Sequence, residues 1–174
     1  MLTIILEGPD GAGKSTLAAK IAQVAISFVG VEGVRKVHAD RPKPLEDYLA
    51  YFVDIITKAC VDNIDILIFD RSWYSEIIYA DTMHRTPTLD ILAARSLDQL
   101  VRAHGDGFIL FCDAADDVLV TRAFKERGED FVNELQLRYA AASYRELFTA
   151  GSNTYPQLPV LTLRTDVGNG CSEA

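Results

Sequence analysis

The stretch Gly8-Pro9-Asp10-Gly11-Ala12-Gly13-Lys14-Ser15-Thr16 decides how this chain folds. It matches the pattern G-x-x-x-x-G-K-[ST] without a mismatch. The apolar run over residues 2–6 precedes it and predicts a buried parallel strand. Residues 17–25 follow it and predict the opening of a helix. A strand, a glycine-rich turn and a helix in this order favour a phosphate-binding loop over a chance match.

Each part of the loop has an expected task. The glycines let the backbone turn tightly, so that successive N–H groups point at an anion in front of a helix N-terminus. Lys14 is expected to reach the β- and γ-phosphates, and the Ser15 hydroxyl to ligate Mg²⁺. ATP and Mg²⁺ are therefore the expected cofactors. The residues expected to bind the nucleotide are Gly8, Asp10, Gly11, Ala12, Gly13, Lys14, Ser15 and Thr16.

Length and composition narrow the remaining possibilities. The 174 residues are 49% hydrophobic and 24% charged, which suits a single globular domain. No apolar run is long enough to span a bilayer, and the first strand leaves no room for a signal peptide, so we expect a cytoplasmic protein. The net charge of −8 argues against a nucleic-acid partner. The three cysteines, Cys60, Cys112 and Cys171, form no C-x-x-C pair, so neither disulfides nor zinc are expected.

The rest of the chain alternates strand and helix patterns. Strands are predicted at residues 34–38, 64–69, 108–112 and 159–163, and helices at 44–62, 88–104, 116–126 and 131–149. Residues 72–83 are predicted to form a short helix or an ordered loop, Thr88 to cap the helix after it, and the tail 166–174 to be loosely held. The alternation predicts a three-layer α/β fold of the P-loop NTPase type, with five parallel strands and helices on both faces.

The ends of the predicted strands supply further candidates, because ligands collect at the carboxyl edge of such sheets. Asp70 closes an apolar strand and is expected to hold Mg²⁺, with Arg71 near the transferred phosphate. An ion pair that only caps the strand is the alternative. Arg41 and Lys43 form a basic turn together with Pro42 and Pro44, and such a turn could hold an acceptor phosphate. Glu76 is a candidate for facing the acceptor, whereas the histidines show no metal-ligand spacing and are expected to be structural or exposed.

A charged, glycine-containing segment joins the last two predicted helices. Residues 126–130 read Glu-Arg-Gly-Glu-Asp, and further cations lie nearby at Arg122, Lys125 and Arg138. We interpret residues 122–138 as a short lid that closes over the triphosphate and excludes water. A solvated turn with surface ion pairs is the alternative.

Two kinase families resemble parts of this chain. Residues 6–16 closely resemble the opening of thymidylate kinases, and Asp70-Arg71, Arg122 and the Arg-Gly-Glu run of residues 127–129 follow in matching order. Residues 70–76, Asp-Arg-Ser-Trp-Tyr-Ser-Glu, are similar to the Glu-Arg-Ser-x-Tyr-Ser-Asp block of deoxynucleoside kinases, a sister family with the same fold. That block implies that Arg71 contacts the transfer site and that Glu76 faces the nucleoside.

The resemblance to thymidylate kinases implies ATP- and Mg²⁺-dependent transfer to a deoxynucleoside monophosphate, with a pyrimidine such as dTMP as the first candidate. Because the loop contains no arginine, the catalytic arginine would come from the lid, Arg127 before Arg122. The expected catalytic residues are thus Lys14, Asp70, Arg71 and Arg127, with Asp40, Arg41 and Glu76 binding the acceptor.

Three alternatives stay open. In a deoxynucleoside kinase, Asp40 would serve as the base for a hydroxyl; the other two are a kinase of a modified base in DNA and a nucleotide-binding switch. Apolar residues on more than one face of the helix over residues 88–104 suggest a homodimer.

Overall fold

The computed structural model describes residues 1–39, 47–126, 132–149 and 156–166. Within them lies one sheet of five strands in the order β2-β3-β1-β4-β5, and every neighbouring pair is parallel. The predicted α/β fold with five parallel strands is confirmed. The strands are β1 (Leu2–Glu7), β2 (Val34–His38), β3 (Ile66–Asp70), β4 (Asp106–Asp113) and β5 (Val160–Arg164).

Helices connect these strands in the crossovers that parallel pairing requires. They are α1 (Lys14–Val29), α2 (Tyr48–Val61), α3 (Trp73–Thr82), α4 (Ile91–Ala103), α5 (Asp116–Val120) and α6 (Glu134–Thr149), with a π-helical turn (Thr121–Glu126) after α5. The predicted helix over 116–126 is therefore a short α-helix followed by a wider turn. Residues 72–83 form a true helix, α3, whose N-cap is Ser72.

The start of α4 corrects the sequence prediction. Its N-cap is Asp90 rather than Thr88, and the Asp90 carboxylate accepts a hydrogen bond of 2.8 Å from the Ala93 N–H. Thr88 does not cap the helix because its N–H and its hydroxyl both donate to Glu76 Oε1, at 2.8 and 2.9 Å. Threonine and aspartate are both good N-cap residues, and the contact of Thr88 with Glu76 leaves the cap to Asp90.

An aromatic cluster fills the layer between the sheet and helices α2 and α3. Phe52 meets Phe69 and Trp73 edge to face, with ring centroids 5.8 and 5.3 Å apart. Below it, the fully buried Asp98 accepts hydrogen bonds from Trp73 Nε1 at 3.2 Å and from the Tyr74 hydroxyl at 2.5 Å. The buried carboxylate thereby joins α4 to α3.

Helix α4 also has an apolar face that lies outside the core. Leu97 and Val101 are buried, whereas Ile91 and Leu92 are 40% and 63% exposed. This exposure agrees with the pattern that suggested a homodimer, and the homodimer itself stays a prediction. Cys60 and Cys112 are free thiols, and Cys171 lies outside the described residues. Over the described part of the chain, none of the helices has the length and hydropathy that a membrane span requires.

Candidate active site

The phosphate loop depends on three glycines whose backbone conformation disfavours any side chain, and at two of them a side chain would also clash. Gly8, Gly11 and Gly13 have φ of 144°, 79° and 79°, a region that residues with a Cβ rarely adopt. A Cβ on Gly8 would lie 2.2 Å from the carbonyl oxygen of Cys112, and one on Gly11 2.6 Å from that of Leu119. The loop therefore lies directly against the end of β4 and against α5.

Lys14 begins α1 and lies inside the curve of the loop. Its side chain is buried, and Nζ donates a hydrogen bond of 2.7 Å to the carbonyl oxygen of Pro9. Burial, and then the positive charge of Arg71, lowers the pKa of the Lys14 ammonium to about 8. Ser15 and Thr16 are exposed at the same helix N-terminus. A partly desolvated cation beside a helix N-terminus is an arrangement that binds phosphate.

Arg71 follows β3 and contacts the phosphate loop. It has a φ of 73°, and its N–H donates to the carbonyl oxygen of Leu6 at 3.1 Å. The guanidinium forms an ion pair with the Asp10 carboxylate and lies over the Tyr79 ring, with Cζ 5.2 Å from the centroid. Tyr79 in turn donates from its hydroxyl to Asp10 Oδ2 at 2.6 Å. Arg71 and Asp10 were predicted at this site, but Tyr79 was not among the predicted site residues.

Asp70 ends β3 beside His38, the last residue of β2. Its Oδ2 lies 2.9 Å from His38 Nδ1. The histidine, expected to be structural or exposed, thus contacts a predicted site residue. Asp70 Oδ1 is buried, and among the described residues it has no hydrogen-bond partner. A desolvated carboxylate oxygen without a donor is costly, and Mg²⁺ prefers oxygen ligands of this kind. Asp70 therefore fits the predicted metal site.

Glu7 is one of the residues of this region that the sequence analysis missed. It is fully buried, and its Oε1 accepts from the N–H and hydroxyl of Ser72 at 2.8 and 2.6 Å. Its Oε2 accepts from the hydroxyls of Ser75 and Tyr144 at 2.7 and 3.1 Å. Glu7 thus fastens the strand before the phosphate loop to the start of α3. An acid that ends an apolar strand was the available clue.

Glu76, which was predicted to face the acceptor, contacts Arg85 and Thr88. Its buried carboxylate accepts from both terminal nitrogens of Arg85, each at 2.6 Å, and from Thr88. Burial opposes ionisation, but the hydrogen bonds from Arg85 and Thr88 outweigh it and hold the pKa of Glu76 below its usual value. The Arg85 side chain is 32% exposed. Arg85 is therefore a partly exposed cation, and the buried Glu76 carboxylate holds its guanidinium in place.

Only part of the predicted lid, residues 122–126 and 132–138, lies within the described residues. Arg122 lies in the π-helical turn and donates to the Thr165 carbonyl oxygen at 3.0 Å, and its Nη1 lies 3.5 Å from the Gly11 carbonyl oxygen. It therefore connects the phosphate loop to the end of β5. Arg138 forms exposed ion pairs with Asp117 and Glu134, both at 2.8 Å. Those pairs match the alternative of a solvated surface. The predicted site residues Asp40, Arg41 and Arg127 lie outside the described ranges, as do residues 127–131 of the predicted lid.

Comparison with known proteins supports the fold. No family model matches the chain. The SPbeta prophage-derived uncharacterized protein YorR of Bacillus subtilis (strain 168) is 27% identical over 156 residues, which cover 89% of this chain and 87% of YorR. The crystal structure of YorR in complex with phosphorylated GDP superposes with a TM-score of 0.61 at 23% identity, over 93% of this chain and 85% of YorR.

Two structures of deoxyadenosine kinase from M. mycoides are also similar. The one with the products dCMP and a flexible dCDP has a TM-score of 0.52 at 16% identity, over 92% of this chain and 89% of the kinase. The one with bound dCTP has a TM-score of 0.53 at 17% identity, over 93% and 89%. The fold of this chain is therefore similar to the folds of YorR and of these deoxyadenosine kinases. The finer resemblance to thymidylate kinases stays a prediction.

Proposed function

We propose that this protein is a kinase that transfers the γ-phosphoryl group of ATP, with Mg²⁺, to a deoxynucleoside monophosphate, and that dTMP is the first acceptor to test. The observation that carries this proposal is the meeting of Lys14, Arg71 and Asp70 at the phosphate loop. Both cations are largely buried, and Arg71 is joined to the loop through Asp10. A plain nucleotide-binding loop has no need of a second buried cation at the end of a neighbouring strand.

The chemistry follows from these charges. During phosphoryl transfer, negative charge spreads over the oxygens of the moving group, and fixed positive charges stabilise it. Lys14 and Arg71 would supply those charges in a site from which water is largely excluded. A phosphate acceptor is already ionised at neutral pH and needs no strong base, so positioning would provide much of the rate. Arg41 is proposed to orient that acceptor, and Arg127, with Arg122 second, to complete the charge from the lid.

The predicted metal has a plausible set of protein ligands. We propose that Asp70 Oδ1 and the Ser15 hydroxyl hold Mg²⁺. Asp70 Oδ1 is a buried oxygen without a hydrogen-bond partner among the described residues, and Ser15 lies in the first turn of α1. Bound there, Mg²⁺ would neutralise charge on the phosphate oxygens. His38 would hold the other carboxylate oxygen, Asp70 Oδ2, away from the metal, because His38 Nδ1 lies 2.9 Å from it.

The acceptor is proposed to lie on the side of Glu76 and Arg85. Glu76 was predicted to face the acceptor, and its carboxylate holds Arg85 with two parallel hydrogen bonds of 2.6 Å. An arginine fixed in this way keeps its remaining N–H groups in a defined direction. We therefore propose that Glu76 acts on the acceptor through Arg85.

A deoxynucleoside kinase is the second candidate. Two observations favour it: the Asp-Arg-Ser-Trp-Tyr-Ser-Glu block of residues 70–76, and the similarity in fold to deoxyadenosine kinases. YorR, crystallised with phosphorylated GDP, also makes guanine compounds worth including among the acceptors. In this case Asp40 would serve as the base that receives the proton of the acceptor hydroxyl.

A substrate panel tests both candidates. The protein would be incubated with ATP and Mg²⁺ and with each deoxynucleoside and deoxynucleoside monophosphate in turn, and the products identified by mass spectrometry. Conversion of dTMP to dTDP supports the first candidate, and conversion of a monophosphate of another base corrects only the base. Phosphorylation of nucleosides alone selects the second candidate. Release of phosphate from ATP without any phosphorylated acceptor contradicts both.

A further inference from the structure

The Tyr79 side chain contacts both the phosphate loop and Arg71. It donates to Asp10 Oδ2 at 2.6 Å and accepts from the Asp10 N–H at 3.2 Å. The ring of the same tyrosine lies under the Arg71 guanidinium. One side chain of α3 therefore fixes the backbone and the carboxylate of Asp10 together and also supports Arg71.

The surroundings of Tyr79 hold its hydroxyl in place. The residue is 7% exposed, and its ring packs against that of Tyr144, with centroids 6.3 Å apart. Burial raises the pKa of the Tyr79 phenol, so the group keeps its proton at neutral pH and remains a hydrogen-bond donor. A donor fixed beside a carboxylate occupies one of its two oxygens.

That occupancy matters for Arg71. An arginine paired with a carboxylate takes its orientation from that group, so a residue that fixes the carboxylate also fixes the guanidinium. Arg71 Nη2 donates to Asp10 Oδ1, and Asp10 Oδ2 accepts from the Tyr79 hydroxyl. The φ of 73° at Arg71 is itself a strained conformation, which lasts only where neighbours hold the residue firmly.

We propose that the Tyr79 hydroxyl positions Arg71 for phosphoryl transfer. By holding both the carboxylate and the backbone N–H of Asp10, it fixes the orientation of the group with which the Arg71 guanidinium is paired. This inference rests on the proposed kinase function. It makes Tyr79 a positioning residue that acts through Asp10, without contact with the reacting atoms.

The first test is Tyr79→Phe, which removes the hydroxyl and keeps the ring. The matched control is Tyr139→Phe, because Tyr139 is an exposed residue of α6 whose hydroxyl donates to Asp81 Oδ2, also at 2.6 Å. For Tyr79→Phe we expect kcat to fall roughly 10- to 100-fold, as for a small displacement of a catalytic group, with KM for ATP and for the acceptor within about threefold. The control should keep wild-type values. An unchanged kcat, or a raised acceptor KM at unchanged kcat, overturns the proposal.

The second test asks whether Tyr79 acts through Asp10. Asp10→Asn and the double variant with Tyr79→Phe complete a double-mutant cycle. If the hydroxyl works only by holding Asp10, the double variant should be no more than about twofold slower than Asp10→Asn alone. Losses in kcat that multiply would show that the two residues act independently, and would overturn the proposal.

A third readout does not depend on turnover. The Nε–H resonance of Arg71 in a nitrogen-15 NMR spectrum can be assigned by its loss in Arg71→Lys. We expect this resonance to shift or broaden in Tyr79→Phe and to stay unchanged in Tyr139→Phe. A wild-type protein that phosphorylates no acceptor would refute the proposed function. An unchanged Arg71 resonance in Tyr79→Phe would refute the positioning role by itself.

Discussion

The Glu7 carboxylate accepts hydrogen bonds from both the backbone N–H and the hydroxyl of Ser72, at 2.8 and 2.6 Å. Glu7 is the last residue before the phosphate loop, and Ser72 is the N-cap of α3. Arg71 lies immediately before Ser72 in the chain. The contact therefore fixes the two ends of the site, the loop and the arginine, to the same buried carboxylate.

Glu7→Gln should lower the free energy of unfolding. The substitution replaces an oxygen that accepts from hydroxyls with an amide nitrogen that is itself a donor, so buried donors lose their partner. We expect a loss of about 2–3 kcal/mol, typical of hydrogen bonds to a buried charged group, measured by urea denaturation. Glu32→Gln, at an exposed position, is the control and should change stability by less than about 0.5 kcal/mol. Equal stability of the two variants would show that Glu7 is not a structural anchor.

The fold and the phosphate loop could be predicted because their patterns are local. An apolar strand, three glycines at fixed spacing and the Lys14 that follows lie within sixteen residues, and β3 and β4 repeat the apolar pattern. Asp70 and Arg71 were found for a related reason, since the strand before them marks the carboxyl edge of the sheet.

The missed residues owe their roles to distant partners. Glu7 meets Ser72 across 65 positions, Tyr79 meets Asp10 across 69, and His38 meets Asp70 across 32. Glu7 had one local clue, its place at the end of an apolar strand, whereas nothing in the neighbouring sequence distinguishes Tyr79 and His38 from ordinary core or surface residues. The error at Thr88 has the same cause, because its partner Glu76 lies on another helix and leaves the cap to Asp90.

Lys14→Ala should abolish phosphoryl transfer and leave the fold intact. The side chain donates a hydrogen bond to the Pro9 carbonyl oxygen, and its buried charge is not needed for packing. We expect kcat to fall at least about 100-fold, the scale of removing one group that stabilises transition-state charge. Transfer rates and circular dichroism check the two parts of the prediction. Lys20→Ala, an exposed residue of the same helix, should behave as wild type. Undiminished turnover in Lys14→Ala would refute the proposed function.

Asp70→Asn should raise the Mg²⁺ concentration needed for transfer. The amide keeps the size of the side chain but loses the charge of Oδ1, the buried oxygen proposed to bind the metal. We expect half-maximal activation to require at least about tenfold more Mg²⁺ at fixed ATP, measured by titrating the initial rate. Asp62→Asn, which changes an exposed partner of Arg35, should leave the titration curve in place. The same Mg²⁺ requirement in both variants would exclude Asp70 as a ligand.

Asp98→Ala should destabilise the fold without touching the chemistry. It would leave the Trp73 indole N–H, the Tyr74 hydroxyl and the Gln157 N–H without their acceptor in the core. We expect the free energy of unfolding to fall by about 3 kcal/mol or more, because several buried donors become unsatisfied at once. At a temperature where the variant is folded, its KM for ATP should equal that of the wild type. A changed KM at full folding would connect Asp98 to the site instead.

ATP binding should weaken as the pH rises through about 8, the pKa of Lys14. Above that pH the lysine must take up a proton before it can pair with phosphate, so affinity should fall by up to about tenfold per pH unit. The fold has the opposite dependence: an unfolded lysine keeps its proton up to about 10.5, so this group alone makes folding more favourable between pH 8 and 10.5. Calorimetry at pH 7 and 9, in buffers of different ionisation enthalpy, measures the proton uptake. Lys14→Arg keeps its charge and should bind ATP equally at both pH values. A wild-type affinity for ATP that does not change with pH would contradict the lowered pKa of Lys14.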